Sequence, residues 1–540
     1  MRLNNKALQD KAPWEKAGIE LPQFDREAML TATRTDPEWV HFGAGNIFRA
    51  FPAAVQQSLL DRGIEKTGII VVVGHGGDIV DRVFLPHDHL TMAVTLKSDG
   101  SIQKKVIASV ADSLRMDKPV DMEKLRAVFR APSLRMISLT ITEKGYSLTG
   151  GNGEFLPEVV EDFDMGPVGK DQAIPHHYIG KIASLCYERY LAGKLPLALV
   201  SMDNCSHNGD KLLSAVETFA CQWAEKGLVE PDFCDYIRDH GTVAFPLTMI
   251  DKITPRPDEG VKAMLEAVGF TDTQMHITGN HSYIAPFVNA EEAQYLVIED
   301  TFPAGRPALE KAGVLFTDRE TVDKVEKMKV CTCLNPLHTA LAIFGCLLGY
   351  TKICDEMKDP DLVKLVETIG YTEGLPVVVD PGILAPQKFI DEVLRVRFPN
   401  PFMPDTPQRI ASDTSQKIPI RFGETIKAYL ASDTLDVHNL KRIPLVLAAW
   451  IRYLLGVDDE GKAFTVSPDP LYPGLARSLG GVRLGDTGPF HRVLEPILSD
   501  KRIFGVNLYE AGLGERVEQY FGELMTGPGA VRGTLRKYLS

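Results

Sequence analysis

From Trp39 to about Asp300 the chain alternates short apolar runs with stretches at helical spacing, and no other feature constrains its fold as strongly. Such alternation builds a mostly parallel sheet covered by helices. The candidate strands are Trp39–Gly43, Gly68–Gly74, Arg135–Ile141, Leu195–Met202 and Tyr295–Ile298. Proline and glycine punctuate residues 253–313, which read as a connecting region, and residues 1–35 read as a polar, partly helical extension. Beyond Thr321 the pattern changes. Apolar residues recur three and four apart through Thr339–Tyr350, Asp361–Ile369, Phe389–Val396, Leu440–Leu455 and Leu508–Tyr520, which predicts a second, largely α-helical domain. A chain of 540 residues exceeds what one core usually organises, so two or more domains are expected anyway.

Composition narrows the partners. The formal net charge of −13 disfavours a broad nucleic-acid surface, although a local basic pocket still suits a small anion. No run of 18 apolar residues occurs, and Arg452 breaks the most hydrophobic stretch, so no membrane span is expected. The first residues lack the apolar core of a signal peptide, and the eight scattered cysteines read as reduced thiols; both point to a cytoplasmic protein. Cys331 and Cys333 lack a second pair at zinc spacing, and His87-Asp88-His89 reads as a polar turn, so no metal is expected. The partner expected is a small molecule, and the oligomeric state, monomer or dimer, stays open.

Three candidate strands run into polar, glycine-containing loops: residues 43–46, 142–146 and 203–209. Ligands of open parallel sheets bind at the carboxyl ends of strands, so these loops outline one site. The first is a glycine turn. In Gly43-Ala44-Gly45-Asn46-Ile47-Phe48-Arg49, Gly43 permits the turn and Gly45 lets the backbone approach a pyrophosphate. Phe48 stands where a third glycine is usual. Asp78, after Gly74-His75-Gly76-Gly77, is the nearby carboxylate for a ribose hydroxyl; it favours NAD, with NADP left open. The fold expected is therefore α/β. A Rossmann-like dinucleotide-binding domain spans residues 36–312 after the 1–35 extension, and an α-helical substrate-binding and catalytic domain spans 313–540.

The densest chemistry is Glu326-Lys-Met-Lys329-Val-Cys-Thr-Cys-Leu-Asn335-Pro-Leu-His338. A lysine, an asparagine and a histidine in one apolar helical stretch are unusual, because buried lysine needs a partner or a role. The plain reading has Lys329 reaching solvent, Asn335 capping a helix at Pro336 and His338 as a satisfied core side chain. The stretch nevertheless resembles the lysine-asparagine-histidine signature of the long-chain polyol and sugar-acid dehydrogenases, the mannitol dehydrogenase and fructuronate reductase family. Four further segments are similar to family motifs and follow in family order: residues 43–49, Ser201-Met-Asp203-Asn204-Cys-Ser-His-Asn208-Gly209, Met249-Ile-Asp251-Lys-Ile-Thr-Pro255 and Arg409-Ile-Ala-Ser-Asp413-Thr-Ser-Gln-Lys417.

This resemblance implies a metal-independent oxidoreductase in which Lys329 is the acid/base, working near neutral pH if burial or neighbouring cations depress its pKa. It implies that Asn204 and Asn335 stabilise the developing alkoxide, that His338 positions substrate hydroxyls and that Asp251 orients Lys329 or the substrate. Glu326, one turn before Lys329, is placed either to relay protons or to form a surface ion pair. Arg409 and Lys417, with Asn208 and Glu143, are the substrate-binding candidates; Arg409 and Lys417, with Arg421 as a further candidate, would supply charge for a terminal carboxylate. Gly43, Gly45, Asn46, Phe48, Arg49 and Asp78 are the cofactor-binding set. Chain length and the N-terminal extension resemble the fructuronate reductase branch, which implies interconversion of D-fructuronate and D-mannonate. A mannitol or other polyol dehydrogenase is the alternative, and a non-catalytic dinucleotide sensor a distant one. One departure stands out. Five residues separate Lys329 from Asn335 where the family has four, and one extra residue turns an ideal helix by about 100°. A π-bulge or irregular turn between them is therefore expected, with Lys327 as the fallback acid/base.

Overall fold

A computed structural model describes residues 1–169, 173–279 and 281–539. The chain forms two compact units. The first comprises residues 1–96 and 101–322, the second residues 97–100 and 323–539 of those described.

The first unit is built on six strands: β1 (Trp39–Phe42), β2 (Ile69–Val73), β3 (Val110–Arg115), β4 (Met136–Leu139), β5 (Leu197–Ser201) and β6 (Val243–Ala244). They pair in parallel throughout, in the order β3-β2-β1-β4-β5-β6. This is the doubly wound arrangement of dinucleotide-binding sheets, which reverses direction between β1 and β4. Both faces are buried, as parallel sheets require. Ile69 and Val71 of β2 join the apolar cluster on one face, and Ile70 and Val72 join that on the other. Each such side chain contributes about 1.5–3 kcal/mol by leaving water.

Sequence reading missed β3, because Val-Ala-Asp-Ser-Leu-Arg carries polar residues of an edge strand, and β6, which is only two residues long. It also misplaced three regions. Residues 1–35 are no separate extension. Leu3, Trp14 and Ile19 are buried, the Ile19–Glu20 strand pairs with Lys104–Lys105, and Thr271 N–H donates to the Met1 carbonyl. Residues 253–313 hold a helix (Glu259–Ala267) and Phe287–Glu291, a strand paired with Thr91–Leu96. The Tyr295–Ile298 strand lies outside the main sheet. β7 (Thr248–Asp251) and β8 (Tyr295–Glu299) pair antiparallel, and β9 (Leu315–Thr317) adds in parallel to β8. That last pairing keeps residues 315–317 with the first unit, so the two compact units divide at 322/323.

Helices α1 (Asn46–Ala50), α2 (Asn208–Glu225) and α3 (Asp232–Arg238) are among those covering the sheet, and Cys221 of α2 is disulfide-bonded to Cys234 of α3. The expectation of eight reduced thiols fails for this pair: the two helices are consecutive and in contact, and the cysteine Cα atoms lie 4.9 Å apart, within bonding reach.

The long helical stretch Arg319–Leu347 opens with α4 (Arg319–Lys327), passes through a π-helical turn (Met328–Cys333) and closes with α5 (Asn335–Leu347). Its 29 residues are long and apolar enough to cross a membrane, a length the sequence reading did not foresee. Its most apolar window, however, is 78% buried within the protein, as in a core helix. The second unit packs α5 against α6 (Arg442–Tyr453), which in turn lies on α7 (Gly514–Leu524). Arg452 breaks the α6 apolar run for a structural reason: its guanidinium donates to the Val457 and Asp458 carbonyls at 2.6 and 3.1 Å and so fastens the loop that follows the helix. At the other end the buried Glu373 carboxylate accepts the N–H groups of Lys441, Arg442 and Ile443.

Gly345 marks the tightest point of α5. A Cβ there would overlap the Glu356 carboxyl and lie 2.9 Å from Pro407 Cγ. Glu356 is fully buried, and burial raises its carboxyl well above the usual range. Gly345→Ala is expected to destabilise the protein by about 1–3 kcal/mol through overpacking. Denaturant melts check it, and a midpoint at or above that of the parent would show that helix and carboxyl separate freely.

Candidate active site

In the first unit the carboxyl ends of β1, β4 and β5 are physically tied. His41 on β1 bridges to β4, its Nδ1 lying 2.6 Å from Ser138 Oγ and its Nε2 2.9 Å from Thr140 Oγ1. Burial lowers the His41 pKa to about 3, so the ring is neutral. Asp203, after β5, accepts from the N–H groups of Ile141 and Thr142, each at 2.9 Å, and from the Tyr146 hydroxyl at 2.5 Å. The 142–146 loop thus hangs on one carboxylate. Sequence reading quoted Asp203 within a motif but gave it no role; an acid directly after a buried strand was the signal.

The glycine turn fits a dinucleotide. Gly43 has φ +111°, and a Cβ on it would overlap the Thr140 carbonyl oxygen. Gly45, which caps α1, is exposed, and a Cβ there would meet nothing within 4 Å, so its backbone is open to close approach. Asn46 and Arg49 are occupied with each other. Arg49 Nη2 donates to Asn46 Oδ1 at 2.9 Å and Nη1 to the Ala285 carbonyl at 2.7 Å, and burial lowers the Arg49 pKa to about 10. The Phe48 side chain is fully buried and stacked on His41 at 4.1 Å, so it serves the core of the turn. Asp78 is partly exposed on the turn after β2 and ion-paired with Arg82 at 3.3 Å.

Two substrate-binding expectations meet a different environment. Asn208 is buried, its amide bracketing the 203–208 loop to β7: Nδ2 donates to the Asp203 carbonyl (3.0 Å) and Thr248 Oγ1 (2.8 Å), and Oδ1 accepts from Thr248 N–H (3.1 Å). With both ends of the amide engaged it does not present itself to a ligand. Glu143 is exposed and paired with Lys211 at 2.5 Å. Asn204 is exposed on its loop, and Asp251 is buried at the end of β7.

In the second unit the extra residue between Lys329 and Asn335 is accommodated as expected. Residues 328–333 form a π-helical turn in which Leu334 N–H donates to the Lys329 carbonyl at 3.1 Å, an i→i+5 bond that absorbs one residue. Lys329 is 5% exposed there, whereas Lys327 is exposed and Glu326 half-buried. Asn335 and Pro336 then start α5. His338 Nε2 is shielded and, among the described residues, has no hydrogen-bond partner; the Asp405 carboxylate stands 3.6 Å away. Burial, reinforced by Arg421, Arg409, Arg397 and Lys417, lowers its pKa to about 3.

The histidine is therefore a neutral ring among cations. Arg409, 63% exposed, is ion-paired with Asp405, and Lys417 Nζ donates to the Ser412 carbonyl at 2.5 Å. Arg421 donates to Thr339 Oγ1 at 2.6 Å, and Thr339 in turn donates to the Asn335 carbonyl at 3.0 Å. Arg397, Asp405 and Thr339 escaped sequence reading. An arginine within Val393-Leu394-Arg395-Val396-Arg397 was the available signal for the first; nothing local marks the other two.

A doubly wound dinucleotide-binding unit joined to a helical unit that carries a buried lysine, an asparagine and a neutral histidine along one helical stretch defines a nicotinamide-dependent dehydrogenase class. The chain belongs to the mannitol dehydrogenase family: residues 37–311 match the mannitol dehydrogenase Rossmann domain and residues 321–519 the mannitol dehydrogenase C-terminal domain. It is 54% identical to the D-mannonate oxidoreductase of Thermotoga maritima, covering 99% of each chain. It is 31% identical to a mannitol 2-dehydrogenase of Neosartorya fischeri, over 94% of this chain and 93% of that one. Among solved structures it is similar to Pseudomonas fluorescens mannitol 2-dehydrogenase in ternary complex with NAD and D-mannitol. The TM-score is 0.68 at 28% identity, covering 100% of this chain and 99% of that one.

Proposed function

We propose that this chain is an NAD-dependent oxidoreductase that interconverts D-fructuronate and D-mannonate. The observation that carries the reading is the cation cluster of Arg397, Arg409, Lys417 and Arg421 around the neutral His338, in the same unit as the buried Lys329. A substrate with a carboxylate suits such surroundings better than an uncharged polyol. The full-length similarity to a D-mannonate oxidoreductase supports it.

Bound NAD supplies the hydride acceptor; the chain's residues manage the proton. In oxidation an uncharged Lys329 Nζ takes the proton of the reacting hydroxyl, and in reduction the ammonium returns it. The Asn335 amide donates to the oxygen as negative charge develops on it. His338, neutral through the physiological range, offers its unpartnered Nε2 to a substrate hydroxyl. Glu326 passes the proton towards solvent. Arg409 and Lys417 hold the polyhydroxy chain. NAD rather than NADP is favoured by Asp78 on the turn after β2, by Asp81 in the helical segment that follows, and by Arg115, which is already paired with Asp81 and Asp117.

Steady-state assays with D-mannonate, mannitol and arabinitol under both cofactors test the reading. D-Mannonate with NAD is expected to give the highest kcat/KM, insensitive to strong chelators. No turnover of any sugar acid, with brisk polyol oxidation, would overturn it in favour of a polyol dehydrogenase.

A further inference from the structure

The cations around His338 are not equivalent. Arg409 is neutralised by Asp405 and points largely to solvent. Lys417 Nζ is engaged by two backbone carbonyls, those of Ser412 and Ile410. Arg421 differs from both. Its one side-chain hydrogen bond runs from Nη1 to Thr339, and among the described residues no carboxylate lies within ion-pair distance of it. The edge formed by Nε and Nη2 keeps two parallel N–H donors, the geometry that matches a carboxylate in bidentate fashion.

Its placement is equally particular. Arg421 sits on a π-helical turn (Pro419–Gly423) that packs against the π-helical turn of Lys329, and Thr339 links it to the first residue of α5, Asn335. Of the surrounding cations it acts most strongly on both His338 and Lys417. Burial holds its own pKa down to about 10 with no acid to offset the cost. A partly buried guanidinium without a counter-charge is unfavourable unless an anion arrives to pair with it.

Building on the sugar-acid reading, we propose that Arg421 is the residue that selects a sugar acid over a sugar alcohol, taking the substrate carboxylate on its Nε–Nη2 edge. Arg409 and Lys417 are left to the hydroxyls, which both substrate classes share. Thr339 is a positioning residue: it fixes the guanidinium relative to Asn335 and therefore sets how far the carboxylate lies from the reacting carbon.

The test compares the parent enzyme with Arg421→Gln, Arg421→Lys and Thr339→Val, using D-mannonate and mannitol as substrates. The quantity read is the ratio of the two kcat/KM values. In Arg421→Gln this ratio is expected to fall on the order of 10²-fold, mainly through KM for D-mannonate. Arg421→Lys, which keeps the charge without the fork, should fall about tenfold, and it carries the test if the glutamine variant does not fold. Thr339→Val should shift the ratio less than either. Titration calorimetry of D-mannonate into the NADH-loaded enzyme, where no hydride can be transferred, should show the same order of losses. Equal losses on both substrates, or an unchanged ratio and unchanged D-mannonate affinity, overturn the proposal while the sugar-acid reading stands. A parent enzyme that neither turns over nor binds D-mannonate removes that reading itself, and the assignment of Arg421 with it.

Discussion

Lys329→Met is expected to lower kcat by about 10²–10⁴-fold in both directions, the span typical of a lost general acid/base. Methionine keeps the length and apolar stem of lysine, so the 5% exposed site should stay filled and the fold intact. NADH binding, followed by fluorescence, should change little, because the glycine turn belongs to the other unit. KM for D-mannonate should move far less than kcat, which separates a lost proton carrier from a damaged pocket. Small primary amines added to Lys329→Ala should restore part of the rate. The two neighbouring ionisable residues make useful comparisons: Lys327→Met, on an exposed side chain, should cost little, and Glu326→Gln should slow the reaction only if proton relay limits it. Hydride transfer at full speed in Lys329→Met would remove the mechanism. A large loss in Lys327→Met instead would mean that the π-helical turn presents the wrong lysine.

That turn shows what the sequence could and could not reveal. The extra residue between Lys329 and Asn335 is a matter of counting, and a helix has few ways to absorb one residue; the i→i+5 bond from Leu334 to Lys329 is the cheapest. Long buried strands were legible for a similar reason, because Ile69–Val73 has apolar side chains for two covered faces. The edge strand Val110–Arg115 was not, since Asp112, Ser113 and Arg115 interrupt its apolar run. Role assignment was harder than element assignment. Asn208 has the residue type and the place of a substrate ligand, yet its amide is consumed by Asp203 and Thr248, contacts set by a strand forty residues away in sequence. Phe48 and Arg49 lie in the cofactor motif but build its underside. Asp203 and Thr339 do their work through partners that only tertiary packing supplies. Local sequence marks which residues are chemically able; which of their donors are already spent is a property of the fold.

The glycine turn carries the other large expectation. Gly43→Ala should weaken NADH binding by at least about 100-fold, some 2.7 kcal/mol, and also lower the stability of the first unit. Two independent causes add. At φ +111° an L-residue is strained, at about 1–3 kcal/mol. The new Cβ would also overlap the Thr140 carbonyl oxygen and lie 2.8 Å from its Oγ1. The obstacle is backbone at the end of β4, so no side-chain rotation relieves it. Thr140 N–H donates to the Phe42 carbonyl at 2.8 Å and Thr140 Oγ1 meets His41 Nε2, so β1 and β4 must separate at the point where the sheet reverses. Gly45→Ala is the control, because its Cβ would point into open space at an ordinary backbone angle. That variant should fold like the parent and lose affinity only if a pyrophosphate lies against the Gly45 backbone. Fluorescence titration with NADH and thermal melting of both variants distinguish the two effects. Parent-like affinity in Gly43→Ala would mean that the turn relaxes without cost. Parent-like affinity in Gly45→Ala would move the phosphates away from α1.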